Sequence, residues 1–149
     1  MYQLALTLHL LGTIVWVGGM FFAHIALRPA AQELFEPPQR LPLLKRVLDR
    51  FFRWVWGSIL LILLSGYWIF FATYGGKTLI YVHVMQGIGL VMMGLFAYIY
   101  FVPYRKMGQA LATKEIPAAG AAMAVIRRII GINLALGLIE AVLGASKPF

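Results

Sequence analysis

Four apolar segments, each long enough to cross a lipid bilayer, constrain the fold of this chain more than any other feature. They run roughly over residues 4–27, 54–71, 79–102 and 129–144. A membrane-spanning helix needs about 20 mostly apolar residues. We therefore predict an all-α membrane protein, a single domain over residues 1–149 that folds as a four-transmembrane-helix bundle. The first segment is too long for a cleaved signal peptide and has no basic stretch before it, so we interpret it as a permanent helix.

The composition excludes several other classes of protein. The chain is 62% hydrophobic and only 12% charged, whereas soluble domains average about 45–50% apolar and about 25% charged residues. The net charge of +8 could suggest a nucleic-acid partner, but on so apolar a chain basic residues are better explained as membrane topology signals, and we expect none. The chain has no cysteine, which excludes disulfides, thiolate metal sites, iron–sulfur clusters and covalently attached haem.

The distribution of basic residues predicts the orientation in the membrane. Six of the 13 Lys and Arg residues lie in the first connection and five in the third, against Lys77 and Lys147 on the opposite side. The positive-inside rule places the two basic connections in the cytoplasm. Both termini and the turn at Gly75–Gly76 then face the periplasm of a bacterial inner membrane. Apolar residues recur at helical spacing within the basic stretch 40–53, which predicts a short interfacial helix before the second span.

An internal repeat at an offset of 74 residues relates the two halves of the chain. At this offset His9 matches His83, Pro29 matches Pro103, and the further matches are Phe22–Ala23 with Phe96–Ala97, Arg53 with Arg127, and Gly57 with Gly131. The matches predict a duplicated helical hairpin, whose parallel repeats are related by an axis along the membrane normal. His9 and His83 then become equivalent positions.

Ionisable residues inside membrane spans are costly and usually functional. Here they are His9, His24, His83 and Glu140. His9 and His83 each lie a few residues into a helix that begins on the periplasmic side, so we place both about 6–8 Å below that surface. Glu140 and Tyr67 reach a similar depth. His24 lies towards the cytoplasmic end of its helix, and its position favours a structural role.

Two chemistries suit the set formed by His9, His83, Glu140 and Tyr67. Two imidazoles on facing helices can ligate haem iron from opposite sides, and Gly12 and Gly87 would let a flat macrocycle approach the backbone. This b-type haem between His9 and His83 is our leading expectation. The alternative is copper bound by the same imidazoles with Glu140 or a thioether such as that of Met85.

A third alternative has no cofactor. Each histidine would then be hydrogen-bonded within the bundle, and the protein would be a structural or assembly subunit. The haem alternative would need a quinone or a periplasmic redox protein as a partner, and the copper alternative a periplasmic copper protein. The sequence leaves the oligomeric state open, a homo-oligomer included.

Several motifs resemble the CopD family of bacterial inner-membrane proteins, which is linked to copper resistance and uptake. The first helix carries His9 followed by Trp16–Val17–Gly18–Gly19 and Leu27–Arg28–Pro29. The second span closes on Ser65–Gly66–Tyr67–Trp68, and the third carries His83 early and Phe101–Val102–Pro103–Tyr104–Arg105 at its end. The resemblance covers nearly the whole chain. It implies a copper-linked function and a four-helix core.

The opening helix is also similar to that of the HemJ-type protoporphyrinogen oxidases, which are four-helix haem b proteins. That family carries a lysine shortly after the histidine of the third helix, whereas Val84, Met85 and Gln86 follow His83 here. This difference argues against the same oxidase activity. What both resemblances share is the histidine of the first helix.

Overall fold

The computed structural model describes residues 1–148 as four long helical rods without a strand among them. All four rods are long and apolar enough to span a membrane. The prediction of an all-α membrane protein with four spanning helices is thereby confirmed. The helices are α1 (Tyr2–Phe21), α2 (Arg28–Leu34), α3 (Pro37–Trp68), α4 (Ile80–Phe101), α5 (Pro103–Ala112) and α6 (Ile116–Ser146).

The first and third rods are each interrupted at a proline. A π-helical segment, Phe22–Leu27, joins α1 to α2 immediately before Arg28–Pro29. In the third rod α4 stops at Phe101, and α5 restarts at Pro103. Proline lacks the N–H of a helical hydrogen bond and clashes with the carbonyl four residues back. Both rods must therefore deviate from regular α-helix near the proline. The two interruptions are 74 residues apart, which agrees with the offset of the predicted repeat.

The second rod differs from the expectation of a separate interfacial helix. α3 continues without a break from Pro37 through the basic stretch to Trp68, and a π-helical segment extends it to Thr73. Pro42 lies inside this helix, about one and a half turns from its start. Buried residues of the basic stretch, among them Leu41, Leu44 and Leu48, pack into the core, so the amphipathic segment is held by packing as part of the long helix.

Residues with particular backbone conformations set the connections between the rods. After Thr73, Gly75 and Gly76 both adopt positive φ angles, 57° and 79°, a conformation that costs little only for glycine. At the other end of the bundle Phe35 and Glu36 are extended and α3 begins directly at Pro37. We call the end with Met1, the Gly75–Gly76 turn and Lys147 the terminal end, and the end with Phe35–Glu36 and Thr113 the basic end.

The four rods form two antiparallel hairpins. α1 packs along α3, while α4 and α5 pack along α6, and α6 also contacts α1 and α3. Small residues allow this close approach: a Cβ atom on Gly12 would lie 3.1 Å from the backbone oxygen of Ser58. A Cβ atom on Gly137 would lie 2.8 Å from Cγ2 of Val17 and 3.2 Å from Cε of Met92. Gly137 is therefore a point where α6 meets both α4, its partner in the hairpin, and α1 of the other hairpin.

An aromatic cluster joins the two hairpins between α3 and α4. The ring of Phe96 lies edge-on to Trp16, Phe52 and Trp56, with centroid distances of 6.3, 5.1 and 5.0 Å. Tyr100 packs edge-on to Trp56 at 5.4 Å. Large aromatic side chains thus fill the space between α3 and α4, in contrast to the close contacts that glycines allow elsewhere in the bundle. Outside this core, many large apolar side chains are exposed, including Ile14, Leu60, Leu64 and Val142, as expected for helices that face lipid.

The neighbouring glycines Gly18 and Gly19 allow a matched test of this packing. A Cβ atom on Gly19 would overlap the ring of Phe51, whereas one on Gly18 meets nothing within 4 Å. Gly19→Ala is expected to be less stable than Gly18→Ala by about 1–3 kcal/mol, the usual cost of overpacking. Titration with sodium dodecyl sulfate in mixed micelles measures both free energies of unfolding. Equal values for the two variants would show that α1 and α3 are not in close contact at Gly19.

Candidate functional site

His9 lies between α1 and α3 in the terminal half of the bundle. Its Nδ1 is 3.3 Å from Oγ of Ser65, and its ring packs on Gly66. The Ser65 hydroxyl donates its proton to the backbone oxygen of Leu61, so it can only accept from the imidazole. This assigns the proton of neutral His9 to Nδ1 and leaves Nε2 with a free lone pair, the form that binds metals.

His83 lies near the start of α4 and is exposed. Its Nε2 is 3.3 Å from Oγ1 of Thr78, and its ring lies edge-on to Phe70 at a centroid distance of 5.8 Å. One turn further along α4, Nε2 of Gln86 donates a 2.8 Å hydrogen bond to the hydroxyl of Tyr67. Tyr67 and His83 are therefore grouped at the contact between the ends of α3 and α4.

The two histidines lie at nearly the same depth. Val17 of α1 and Met92 of α4 both contact Gly137. His9 is eight residues from Val17, and His83 is nine residues from Met92, both counted towards the terminal end. At about 1.5 Å per residue, each lies about 12–14 Å beyond that shared contact. The structure thus agrees with the sequence argument about depth.

Matched depth does not bring the two imidazoles into contact. His9 packs against Ser65 of α3, while Tyr67 and Phe70 are the α3 residues on the side of His83 and Gln86. Ser65 and Tyr67 are two residues apart and so point about 200° apart around α3. The histidines therefore lie on different flanks of α3, and each has its own hydroxyl partner.

Glu140 lies on α6, in the fourth rod. It shares one face of α6 with Gly137 and Gly144, which contact Met92 and Met85 of α4 through their Cε atoms. Its Oε1 is buried and, within residues 1–148, has no hydrogen-bond partner. Met85 is two residues after His83, about 200° around α4, so His83 faces away from this interface. Glu140 therefore lies on the α6 face that meets Met85 and Met92.

Asn133 is a polar residue of this interface that the sequence analysis did not single out. It is 1% exposed, and its Nδ2 donates a 3.1 Å hydrogen bond to the backbone oxygen of Met92. Its Oδ1 is buried without a partner among the described residues. Asn133 precedes Glu140 by seven residues, which places both on one face of α6. The sequence does carry a signal for Asn133: it is a polar residue in an apolar helix, seven residues before Glu140.

Residues 1–148 contain no group of three or more His, Asp or Glu side chains placed to hold one metal ion. Methionine is not among these residue types, so this absence does not concern a site built from the thioethers of the α4–α6 interface. One cavity lies between the π-helical segment Phe22–Leu27, α3 and α6, and a groove lies between α5 and α6; both are towards the basic end. Neither is lined by His9 or His83, so neither is a haem pocket of the predicted kind.

A second polar cluster lies at the basic end, between α3 and α5. The Asp49 carboxylate accepts a hydrogen bond from the Tyr104 hydroxyl and pairs with the Lys45 ammonium at 2.5 Å. The ammonium also lies 4.5 Å from the centroid of the Tyr104 ring. The cluster thus ties the two hairpins together beside the aromatic core.

The contribution of the Tyr104 hydroxyl to stability can be tested by removing its oxygen atom. Tyr104→Phe is expected to lower the free energy of unfolding by about 1.5–3 kcal/mol, because a hydrogen bond to a charged group is lost. Tyr100→Phe is the matched control, since Tyr100 stacks on Tyr104 and its hydroxyl has no hydrogen bond within the described chain. Titration with sodium dodecyl sulfate measures the free energy of unfolding of both variants. An equal loss in the two variants would assign the stability to ring packing alone.

The fold and these interfaces define a class of protein before any comparison: a helical membrane protein with polar and thioether side chains between its spans. The family described as Copper resistance protein D (CopD) matches residues 45–146, about two thirds of the chain. The protein belongs to the CopD family, as the sequence motifs indicated. No curated protein and no solved structure gives a significant match.

Proposed function

We propose that this protein handles copper within the membrane, as cargo bound between α4 and α6 by Glu140 and the thioether of Met85. The observation that carries the proposal is the buried, unpartnered Oε1 of Glu140 on the α6 face that meets Met85 and Met92. Membership of the copper resistance family agrees with it.

The donor set suits cuprous copper. Thioethers are soft ligands that favour Cu(I), and a carboxylate supplies the negative charge that balances the ion. An ionised carboxylate buried without a partner costs several kcal/mol or more. A cation at Glu140 removes this cost, and the polarizable sulfur atoms of Met85 and Met92 lie on the facing helix.

Asn133 and Met92 extend the same interface towards the basic end. The Oδ1 of Asn133 is a second buried acceptor without a protein partner, about 10 Å from the level of Glu140 at the usual helical rise. We propose that copper passes along this face of α6, from Glu140 and Met85 to Met92 and Asn133.

The histidines have a different part in this proposal. His9, with Nε2 available, and the exposed His83 lie closer to the terminal end than Glu140. We propose that they are the donors that copper meets before it reaches Glu140. Haem between His9 and His83 gains no support from their positions on different flanks of α3, and the copper alternative accounts better for the family match.

Competition of the purified protein with a Cu(I) chelator tests the site. Met85→Leu is expected to weaken Cu(I) binding about tenfold or more, since it removes a ligand, and even residues beyond the ligands commonly change metal affinity by about 10–100-fold. Met93→Leu is the matched control, because Met93 is a thioether on the same helix, turned about 80° from Met85 and two turns further along. If His9→Ala and His83→Ala abolish binding while Met85→Leu leaves it unchanged, the imidazoles and not the α4–α6 interface hold the ion.

A further inference from the structure

Three basic side chains converge near the basic end of the bundle, away from the proposed copper interface. His24, Arg28 and Arg127 line one cavity of about 20 Å³ between the π-helical segment with the start of α2, α3 and α6. The charges of Arg28 and Arg127 act on His24 and on each other. The His24 ring is held against α6, where a Cβ atom on Gly131 would lie 3.3 Å from its Cε1.

No acidic side chain neutralises this cluster. Within residues 1–148 the one salt bridge joins Lys45 to Asp49. The acids Glu33, Glu36 and Glu115 are exposed, and Glu140 lies in the other half of α6. The Nε of Arg28 is buried without a hydrogen-bond partner. A guanidinium cannot discard its proton to relieve this arrangement, because arginine stays charged in proteins.

The depth of the cluster in the membrane indicates which anions can reach these three basic side chains. Arg28 is 19 residues from His9, and Arg127 is 10 residues from Gly137. At about 1.5 Å per residue, Arg28 lies about 28 Å from the level of His9. Since His9 lies about 6–8 Å below the opposite surface, Arg28 is about 34–36 Å from that surface, a few Å beyond a bilayer core about 30 Å thick. Both guanidinium groups therefore lie at the level of lipid phosphates on the basic side.

We propose that His24, Arg28 and Arg127 bind a phosphate group, supplied by an anionic lipid headgroup or by a soluble phosphate. Guanidinium groups bind phosphate through paired N–H donors, and basic pockets between spanning helices are known places for anionic headgroups. The enclosed space holds about one water-sized atom, so a single phosphate oxygen enters it and the rest of the group stays outside. The π-helical segment Phe22–Leu27 carries His24 and ends directly before Arg28, and such distortions often mark functional sites.

Native mass spectrometry of the full chain in detergent tests the proposal, with phosphatidylglycerol and phosphatidylcholine as lipid probes and inorganic phosphate as the soluble probe. Arg28→Gln and Arg127→Gln are each expected to weaken phosphatidylglycerol binding about five- to tenfold, the loss of one close basic contact. Arg128→Gln is the matched control, since Arg128 is the exposed neighbour of Arg127 and carries the same charge. It is expected to leave binding unchanged.

The outcomes separate the two sources and decide the proposal. Phosphatidylglycerol binding that inorganic phosphate does not displace, and that only the Arg28 and Arg127 variants weaken, supports a lipid site. Binding of inorganic phosphate with the same dependence on these variants supports a site for soluble phosphate. Equal effects of Arg127→Gln and Arg128→Gln, or no effect of either, would overturn the proposal. If the glutamine variants do not fold, Arg127→Lys against Arg128→Lys gives the same comparison, because lysine keeps the charge and loses the forked geometry.

Discussion

Replacing Glu140 by glutamine is expected to reduce copper movement into proteoliposomes about tenfold or more, the scale on which metal sites respond to changes in and around their ligands. Glutamine keeps the size and shape of the side chain, removes its negative charge and replaces one acceptor oxygen by an NH2 donor. The charge is what balances a monovalent copper ion in the bundle interior. Copper accumulated from a buffered Cu(I) supply, measured by mass spectrometry of the washed vesicles, gives the ratio of the variant to the wild type.

Glu115→Gln is the control for this experiment. Glu115 is exposed and precedes α6 at the basic end, so its loss changes the net charge by the same amount far from the α4–α6 interface. We expect its accumulation to equal that of the wild type. If Glu140→Gln also accumulates copper at the wild-type rate, Glu140 is not a copper ligand, and its carboxyl group is either neutral or hydrated from the terminal end.

The orientation in the membrane is expected to give an all-or-none result. A reporter enzyme that is active only in the periplasm should work when fused at Gly76 or after Phe149 and fail when fused at Thr113. The physical reason is the distribution of basic residues, eleven in the two connections of the basic end against Lys77 and Lys147, because positively charged loops stay in the cytoplasm. A reporter active only in the cytoplasm is the control and should show the opposite pattern. Activity of the periplasmic reporter at Thr113 would reverse the bundle and place His9, His83 and Glu140 on the cytoplasmic side.

Local sequence signals predicted the elements of the fold well. Runs of apolar residues identified the four spanning helices, Gly75–Gly76 marked the turn, and Pro103 marked the end of α4. Each of these signals acts within a few residues, through hydropathy or backbone geometry. The continuous α3 was missed, because its union with the basic stretch depends on buried contacts of Leu41, Leu44 and Leu48.

The matched depth of the two histidines could be predicted, but their partners could not. The predicted depth of Glu140 was wrong, because it lies three residues, about 4.5 Å, beyond Gly137, against about 12–14 Å for the histidines. Helical rise alone placed His9 and His83 at matched depth, which agrees with their distances from the shared contact at Gly137. Which way each side chain points depends on how the helices are rotated against one another, and that is set by contacts such as Gly12 with Ser58 and Gly137 with Val17. For this reason the sequence grouped Glu140 with the imidazoles, whereas the structure places it on the α6 face that meets Met85 and Met92.

The copper K-edge X-ray absorption spectrum of the purified protein, loaded with Cu(I) under reducing conditions, tests the central claim most directly. Sulfur scatters differently from oxygen and nitrogen, and an imidazole adds multiple scattering from its outer ring atoms, so the spectrum separates thioether, carboxylate and imidazole ligands of the bound ion. The account predicts a sulfur shell from Met85 that is lost in Met85→Leu, together with oxygen from Glu140. A spectrum with imidazole nitrogen alone, or a protein that retains no copper and carries the absorption of haem, would contradict it.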